Sequence, residues 1–315
     1  MYIGKKRASR PQKRKAVGKK RSVKAISKKT RVLRLGGVVT IPKEQIIRRR
    51  IPKKFTLAIG TIFNREDPYI KEWLEFHIKV GVDHFYLYDN GCSKESQALL
   101  KPYVDRRLVT YHQWPDSMSK THIQREAYRH CLKNYGHKCF WMAFIDVDEF
   151  LFSRVREHQL NKLLSHYNHN LVTQIEVPRY NYGNSNHVQR PTGGVLVNYL
   201  MREKNPSNIK SIVNPGNLNV SVLTNSVHRF NNLFRQGSVM NATKSVIPFR
   251  INHYITKSTQ EYLARNTWWK RRRKQGARFN PPGARLGSSP PERWNGTYDD
   301  AILSVMTKLN GEGSV

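Results

Sequence analysis

The sequence predicts an α/β fold: a mostly parallel sheet flanked by helices. Three observations lead there. Short apolar runs alternate with segments of helical periodicity between residues 55 and 146. Two of those runs, FTLAIGTIF (55–63) and CFWMAFID (139–146), are almost wholly apolar, as strands buried on both faces must be. Polar clusters fall where the runs end, which is where parallel sheets bind ligands.

Taken in order, FTLAIGTIF is a strand rich in β-formers, and Asn64 to Pro68 is a turn. Pro68 suits a first helical turn; Ile70, Trp73, Leu74 and Ile78 then recur at helical spacing until Gly81 stops the helix. Residues 82–88 form a second strand, closed by Asp89-Asn90-Gly91. LLKPYVDRR reads as a short helix and turn, and residues 108–114 as a third strand. Residues 120–135 place Ile123, Ala127, Cys131 and Leu132 on one helical face before Gly136. CFWMAFID is the fourth strand. Beyond residue 150 the periodicity weakens. A helix near 157–167, a strand at 171–178 and a helix at 258–266 remain legible, with an irregular, β-rich stretch over 180–250.

Charge divides the chain of 315 residues differently. Its 56 Lys+Arg against 22 Asp+Glu give a net charge of +34, which first suggests a nucleic-acid binder. Residues 1–54 alone carry +20, residues 55–264 only +8, residues 265–293 another +8, and the last 22 residues −2. This predicts a basic disordered arm and linker (1–54, with one short strand within 35–54), a less charged central domain (55–265) and a basic, Pro/Gly-rich extension (266–315). The arm suits an anionic membrane surface or nucleic acid. A content of 38% hydrophobic residues excludes a wholly disordered chain. Three cysteines, Cys92, Cys131 and Cys139, exclude a disulfide scaffold and lack zinc spacing. No apolar stretch spans a bilayer and the first residues lack a signal-peptide core, so a cytoplasmic chain, peripheral to a membrane, is expected. The sequons beginning at Asn219, Asn241 and Asn295 therefore carry no weight.

Asp146-Val147-Asp148 closes the fourth strand. Carboxylates at i and i+2 share one side of an extended chain, and their repulsion is relieved by a divalent cation such as Mg²⁺ or Mn²⁺. Glu149 adds a third acid. Asp89 in its Asp-Asn-Gly turn, and Asn64-Arg65-Glu66, are equally explained by turn and helix-entry chemistry. His77 lies on a Trp/Leu face and reads as a core histidine. His253, in INHYITKS, could return to a carboxylate metal site, with Lys257 nearby to neutralise phosphate.

Together these residues resemble glycosyltransferase family 92. The blocks are TIFNREDPYIKEWLEFHIKVGVDHFYLYDNGCS, LKPYVDRRLVTYHQWP and QREAYRHCLKNYGHKCFWMAFIDVDEFLF, with weaker likeness at YNYGNSNH, KSIVNP, His228 and INHYITKSTQEYL. The family is similar to family 2 glycosyltransferases, which implies a GT-A fold, a nucleotide-sugar donor, a glycan or glycoconjugate acceptor, and Mn²⁺ or Mg²⁺. The resemblance assigns the metal to Asp146, Asp148 and His253, and the nucleotide sugar to Thr61, Asn64, Glu66, Asp89, Asp146 and Lys257. Gln124 matches a family glutamine of unassigned role. Inversion is implied, which requires a general base. Glu176, at the end of a predicted strand, is the first choice, and Glu149 the second. Tyr182 to His187 departs from the family's pattern, so the donor sugar stays open. Two rival classes are a nucleic-acid binder and a metal-dependent nuclease or phosphohydrolase using the same carboxylates.

Overall fold

The computed structural model describes residues 30–34, 37–41, 53–118, 122–155, 157–167, 171–218, 228–230, 238–240, 247–274 and 290–311. Most of the basic arm, the linker after residue 41 and the sequons at Asn219 and Asn241 lie outside the described residues. Within the first unit, β2 (Gly37–Ile41) is the short strand expected within 35–54, and it pairs antiparallel with β1 (Thr30–Arg34), a strand at the end of the segment read as a disordered arm.

The second unit, from residue 51 onward, carries the expected α/β fold. Strands β3 (Phe55–Phe63), β4 (His84–Asp89), β5 (Val109–Gln113) and β6 (Cys139–Phe144) run parallel in the order β5-β4-β3-β6. Helices α1 (Asp67–Lys79), α2 (Lys94–Asp105) and α3 (Ile123–Tyr135) fill the crossovers. The first strand matches its predicted bounds, and α1 ends as predicted, with Gly81 at φ +85°, a conformation that favours glycine.

The sheet then continues through strands that the sequence reading missed or only outlined. These are β7 (Glu149–Ser153), β8 (Val172–Asn181), β10 (Asn208–Val213), β11 (Ser238–Met240) and β12 (Phe249–His253). The full order is β5-β4-β3-β6-β10-β8-β12-β7, with β11 on β8. Strand β10 is antiparallel to both neighbours, and β7 is antiparallel to β12. The sheet is thus mixed and mostly parallel. Helix α4 (Leu160–Ser165), helix α5 (Val195–Asn198) and the ribbon of β9 (Met201–Arg202) with β13 (Thr297–Tyr298) complete it, together with α6 (Thr259–Lys274) and α7 (Ala301–Gly311).

The compositional boundary at 265 does not hold. Helix α6 runs through it, and residues 290–311 fold onto the same unit. Trp294, Ile302 and Val305 are buried, and Asp299 accepts from Arg202 (2.6 Å) and Arg250 (2.9 Å). Loop composition alone could not reveal those partners, which lie about 50 to 100 residues earlier in the chain.

Helix α1 does two jobs. Ile70, Trp73 and Leu74 are fully buried against the sheet, each contributing about 1.5–3 kcal/mol of hydrophobic stabilisation. Trp73 and His77, one turn apart, also reach the outer edge of β7. The Trp73 indole N–H donates to the Glu149 carbonyl (2.8 Å), and His77 Nε2 accepts from the Leu151 N–H (3.1 Å). His77 Nδ1 bonds the Trp73 carbonyl (2.8 Å), which fixes a neutral ring. His77 is the core histidine expected, and it covers backbone groups that an edge strand would otherwise leave bare. No described helix is long and apolar enough to cross a membrane.

Candidate active site

The Asp146–Glu149 segment joins β6 to β7 at the carboxyl edge of the sheet. It is a turn, not a continued strand: the Glu149 N–H donates to the Asp146 carbonyl (3.0 Å). The argument that Asp146 and Asp148 share one side of an extended chain therefore fails, and the two acids go to different partners.

Asp146 is held from three sides. Gln124 Nε2 donates to Oδ1 (3.0 Å), Tyr128 approaches the same oxygen (3.5 Å), and Lys210 Nζ lies 2.9 Å from Oδ2. Lys210 also lies 3.0 Å from Glu149, whose other oxygen accepts from Arg179 (2.9 Å). This is a buried quartet of two acids and two bases. Lys210 and Glu149 are fully buried, a state that ion pairing makes tolerable. Burial pushes the Asp146 carboxyl up, and Glu149 and Asp148 add to this against the pull of Lys210. Burial also works against the charged forms of Lys210 and Glu149. For Lys210 it is outweighed by Asp146 and Glu149, which raise its affinity for its proton. For Glu149 it is outweighed by Lys210 and Arg179, which hold it below the usual carboxylate range.

Asp148 turns the other way. Its Oδ1 lies 3.5 Å from His253 Nε2 and its Oδ2 3.6 Å from Arg265. Burial raises its affinity for a proton, but His253, Lys257 and Arg265 outweigh that and hold it far below its ordinary value. The tautomer of His253 follows from a hydrogen-bonded chain. Ser207 Oγ donates to Glu203 (2.9 Å), Asn181 Nδ2 donates to Ser207 Oγ (2.8 Å), and Asn181 Oδ1 is therefore turned to His253 Nδ1 (2.7 Å). An amide oxygen only accepts, so Nδ1 carries a proton, and Nε2 is the ring atom that faces Asp148.

That donor pair, a carboxylate oxygen and an oriented imidazole nitrogen, suits Mn²⁺ or Mg²⁺ completed by substrate oxygens. The expected three-residue set is not assembled: among the described residues no group of three or more His, Cys, Asp or Glu could hold a metal. Asp146 falls out of it because Lys210 and Gln124 occupy its oxygens.

The remaining predicted residues gather nearby or turn to local work. Lys257, at φ +54°, pairs with Glu66 (3.0 Å) and sits over the Tyr69 ring (4.0 Å from its centroid). Thr61, near the end of β3, is fully buried, and its hydroxyl has no hydrogen-bond partner among the described residues. Asn64 bonds Asn90 (2.9 Å). Asp89 is fully buried and accepts from Tyr111 (2.7 Å) and the Cys92 N–H (2.8 Å), the turn chemistry offered as its alternative. Both candidate bases are held in ion pairs. Glu149 is enclosed by Arg179 and Lys210. Glu176 lies within β8 rather than at its end, on the face opposite Arg179 by strand parity, and is bound bidentately by Arg229 (2.6 and 3.1 Å).

Sequence reasoning missed Lys210, Arg179, the Glu203–Ser207–Asn181 chain and Arg265. One signal was available for the last. Ser258-Thr-Gln-Glu261 is a capping box: Ser258 Oγ donates to Glu261 (2.7 Å) and accepts from its N–H (3.3 Å). It starts α6 just after Lys257, and α6 carries Arg265 to Asp148.

A profile of glycosyltransferase family 92 matches residues 53–281. The chain belongs to glycosyltransferase family 92. A family 92 protein of Arabidopsis thaliana is 29% identical over 284 residues, covering 84% of this chain and 47% of the relative. One of Ricinus communis is 28% identical over 257 residues, covering 78% and 45%. A galactan beta-1,4-galactosyltransferase of Arabidopsis thaliana is 29% identical over 116 residues, 35% of this chain and 22% of the relative. This family 92 chain thus spans less than half the length of the family 92 relatives it matches most fully.

Proposed function

We propose that this chain transfers a sugar from a UDP- or GDP-sugar to a hydroxyl of a glycan or glycoconjugate, with inversion at the anomeric carbon. Asp148 and His253 hold Mn²⁺ or Mg²⁺. The observation that carries the reading is the oriented His253 Nε2 facing Asp148 at 3.5 Å, beside Lys257 and Arg265. A divalent ion bound there neutralises the diphosphate leaving group. Lys257 and Arg265, now partnered by Glu66 and Asp148, are positioned to pass to phosphate oxygens as the donor enters. The unpartnered Thr61 hydroxyl offers the donor a buried polar contact at the strand end. Asp146 and Glu149 act as positioning residues: with Lys210 and Arg179 they fix the turn that presents Asp148.

The chain is incubated with Mn²⁺ and a panel of sugar nucleotides, and UDP or GDP release is followed with and without glycan acceptors. The printed activity of the galactosyltransferase relative makes UDP-galactose and β-1,4-galactan fragments the first pair to try. Acceptor-dependent nucleotide release is expected, with product anomericity read by NMR. Asp148→Asn lowers turnover at least ~100-fold with the fold intact. Metal-stimulated turnover that survives in this variant removes Asp148 from the metal site. Phosphodiester cleavage without sugar transfer supports the phosphohydrolase reading instead.

A further inference from the structure

The opposite edge of the sheet has no part in this chemistry, yet it holds a built cavity. About 470 Å³ lies at the amino-terminal ends of β3, β4 and β5, and its lining includes Lys54, Phe55, His84, Arg107, His137 and Lys138. No carboxylate is among the lining residues. The floor is aromatic. Phe55 stacks on His84 with centroids 4.5 Å apart, and Lys54 Nζ stands 5.0 Å from the Phe55 centroid. Lys138 Nζ stands 5.3 Å from that of Tyr135.

His84 distinguishes this place from scattered surface lysines. It is 6% exposed, and Nε2 bonds Thr110 Oγ1 (2.8 Å). Its Nδ1 makes no hydrogen bond of good geometry, although the Arg107 carbonyl lies close enough to favour the protonated ring. Burial first, then the Lys54 and Lys138 charges, pull its pKa down to about 4. Cations converging on a concave, partly apolar site focus a positive potential. An anion entering it removes their mutual repulsion. Two ammonium groups and a guanidinium supply donors from several directions, which matches a tetrahedral oxyanion better than a planar carboxylate.

We propose that this cavity is a second ligand site, which binds a phosphate group of a small soluble ligand on the side of the sheet away from the sugar-transfer site. The test uses the full chain with ¹⁵N-labelled histidine, the His84 signals being assigned from the spectrum of His84→Gln. Inorganic pyrophosphate is titrated against sodium chloride at matched ionic strength, so that general attraction to a basic protein cancels. The expected result is a saturable shift of the His84 resonances and a rise in its apparent pKa by at least ~1 unit, a tenfold gain in proton affinity. Lys54→Gln/Lys138→Gln should weaken pyrophosphate binding at least ~10-fold, while Lys54→Arg/Lys138→Arg retains it. Sugar transfer, measured separately, should not change. His84 signals that respond alike to pyrophosphate and chloride, or a neutralised variant that titrates like the parent, overturn the proposal. Neither readout depends on the transfer reaction.

Discussion

The two edges of the sheet use charge in opposite ways. At the carboxyl edge, Asp146, Glu149, Lys210 and Arg179 are withdrawn from water and satisfy one another. At the amino edge, Lys54, Arg107, His137 and Lys138 are exposed around one cavity with no acid among its lining. The first arrangement ties the reaction geometry to the stability of the fold, since each buried charge depends on its partner. The second leaves the charges free for a ligand and nearly irrelevant to folding.

The sharpest way to break this contrast is Lys210→Met. It leaves Asp146 and Glu149 facing each other in a buried site, and the expected loss is about 3–5 kcal/mol of unfolding free energy. Urea denaturation reads it directly; a loss below 1 kcal/mol would mean that water reaches the quartet. Next in size is the pH response set by His77, on the helix that pins β7. Burial lowers its pKa to about 3. The unfolded chain binds the proton below about 6.5 and the folded one does not. The stability due to the neutral ring is therefore complete above about pH 6.5 and declines as pH falls toward 3, by at most about 1.4 kcal/mol per pH unit. Between pH 7 and 4.5, His77→Gln should show a shallower decline than the parent; parallel curves would contradict the assignment.

Smaller still is Ser207→Ala, which cuts the chain that holds the proton on His253 Nδ1. Outer-shell partners of this kind alter metal affinity by about 10–100-fold. Mn²⁺ titration of the variant should show weaker binding with unfolding free energy little altered. Unchanged Mn²⁺ affinity would leave the Asn181 contact as packing alone. The smallest effect belongs to the amino edge, where Lys54→Gln/Lys138→Gln should move the unfolding free energy by no more than about 0.5 kcal/mol. A larger change there would dissolve the distinction between the edges.

The same division explains what could be read in advance. Strands β3, β4 and β6 are largely apolar runs, β5 is a short edge strand of β-formers, and local stops such as Gly81 after α1 separate them, so periodicity and turn chemistry locate them. Strand β8 is legible over 171–178 but not as far as Arg179, and β10 and β12 carry Lys210 and Arg250 into the interior, so their pattern does not look like that of buried strands. Each charge is acceptable there only because a distant residue answers it: Glu149 for Arg179 and Lys210, and Asp299 for Arg250.

The amino-acid sequence by itself determined the α/β class, the four parallel strands and the position of the acidic turn. Those depend on local propensity and on burial of contiguous apolar residues. Only the tertiary structure decided which acid does what. Asp146 and Asp148 are two residues apart and chemically identical, and they separate because Lys210 claims one while His253 and Arg265 face the other. Coulomb energy and desolvation depend on distances in space, and the partners lie about 60 to 120 residues away along the chain.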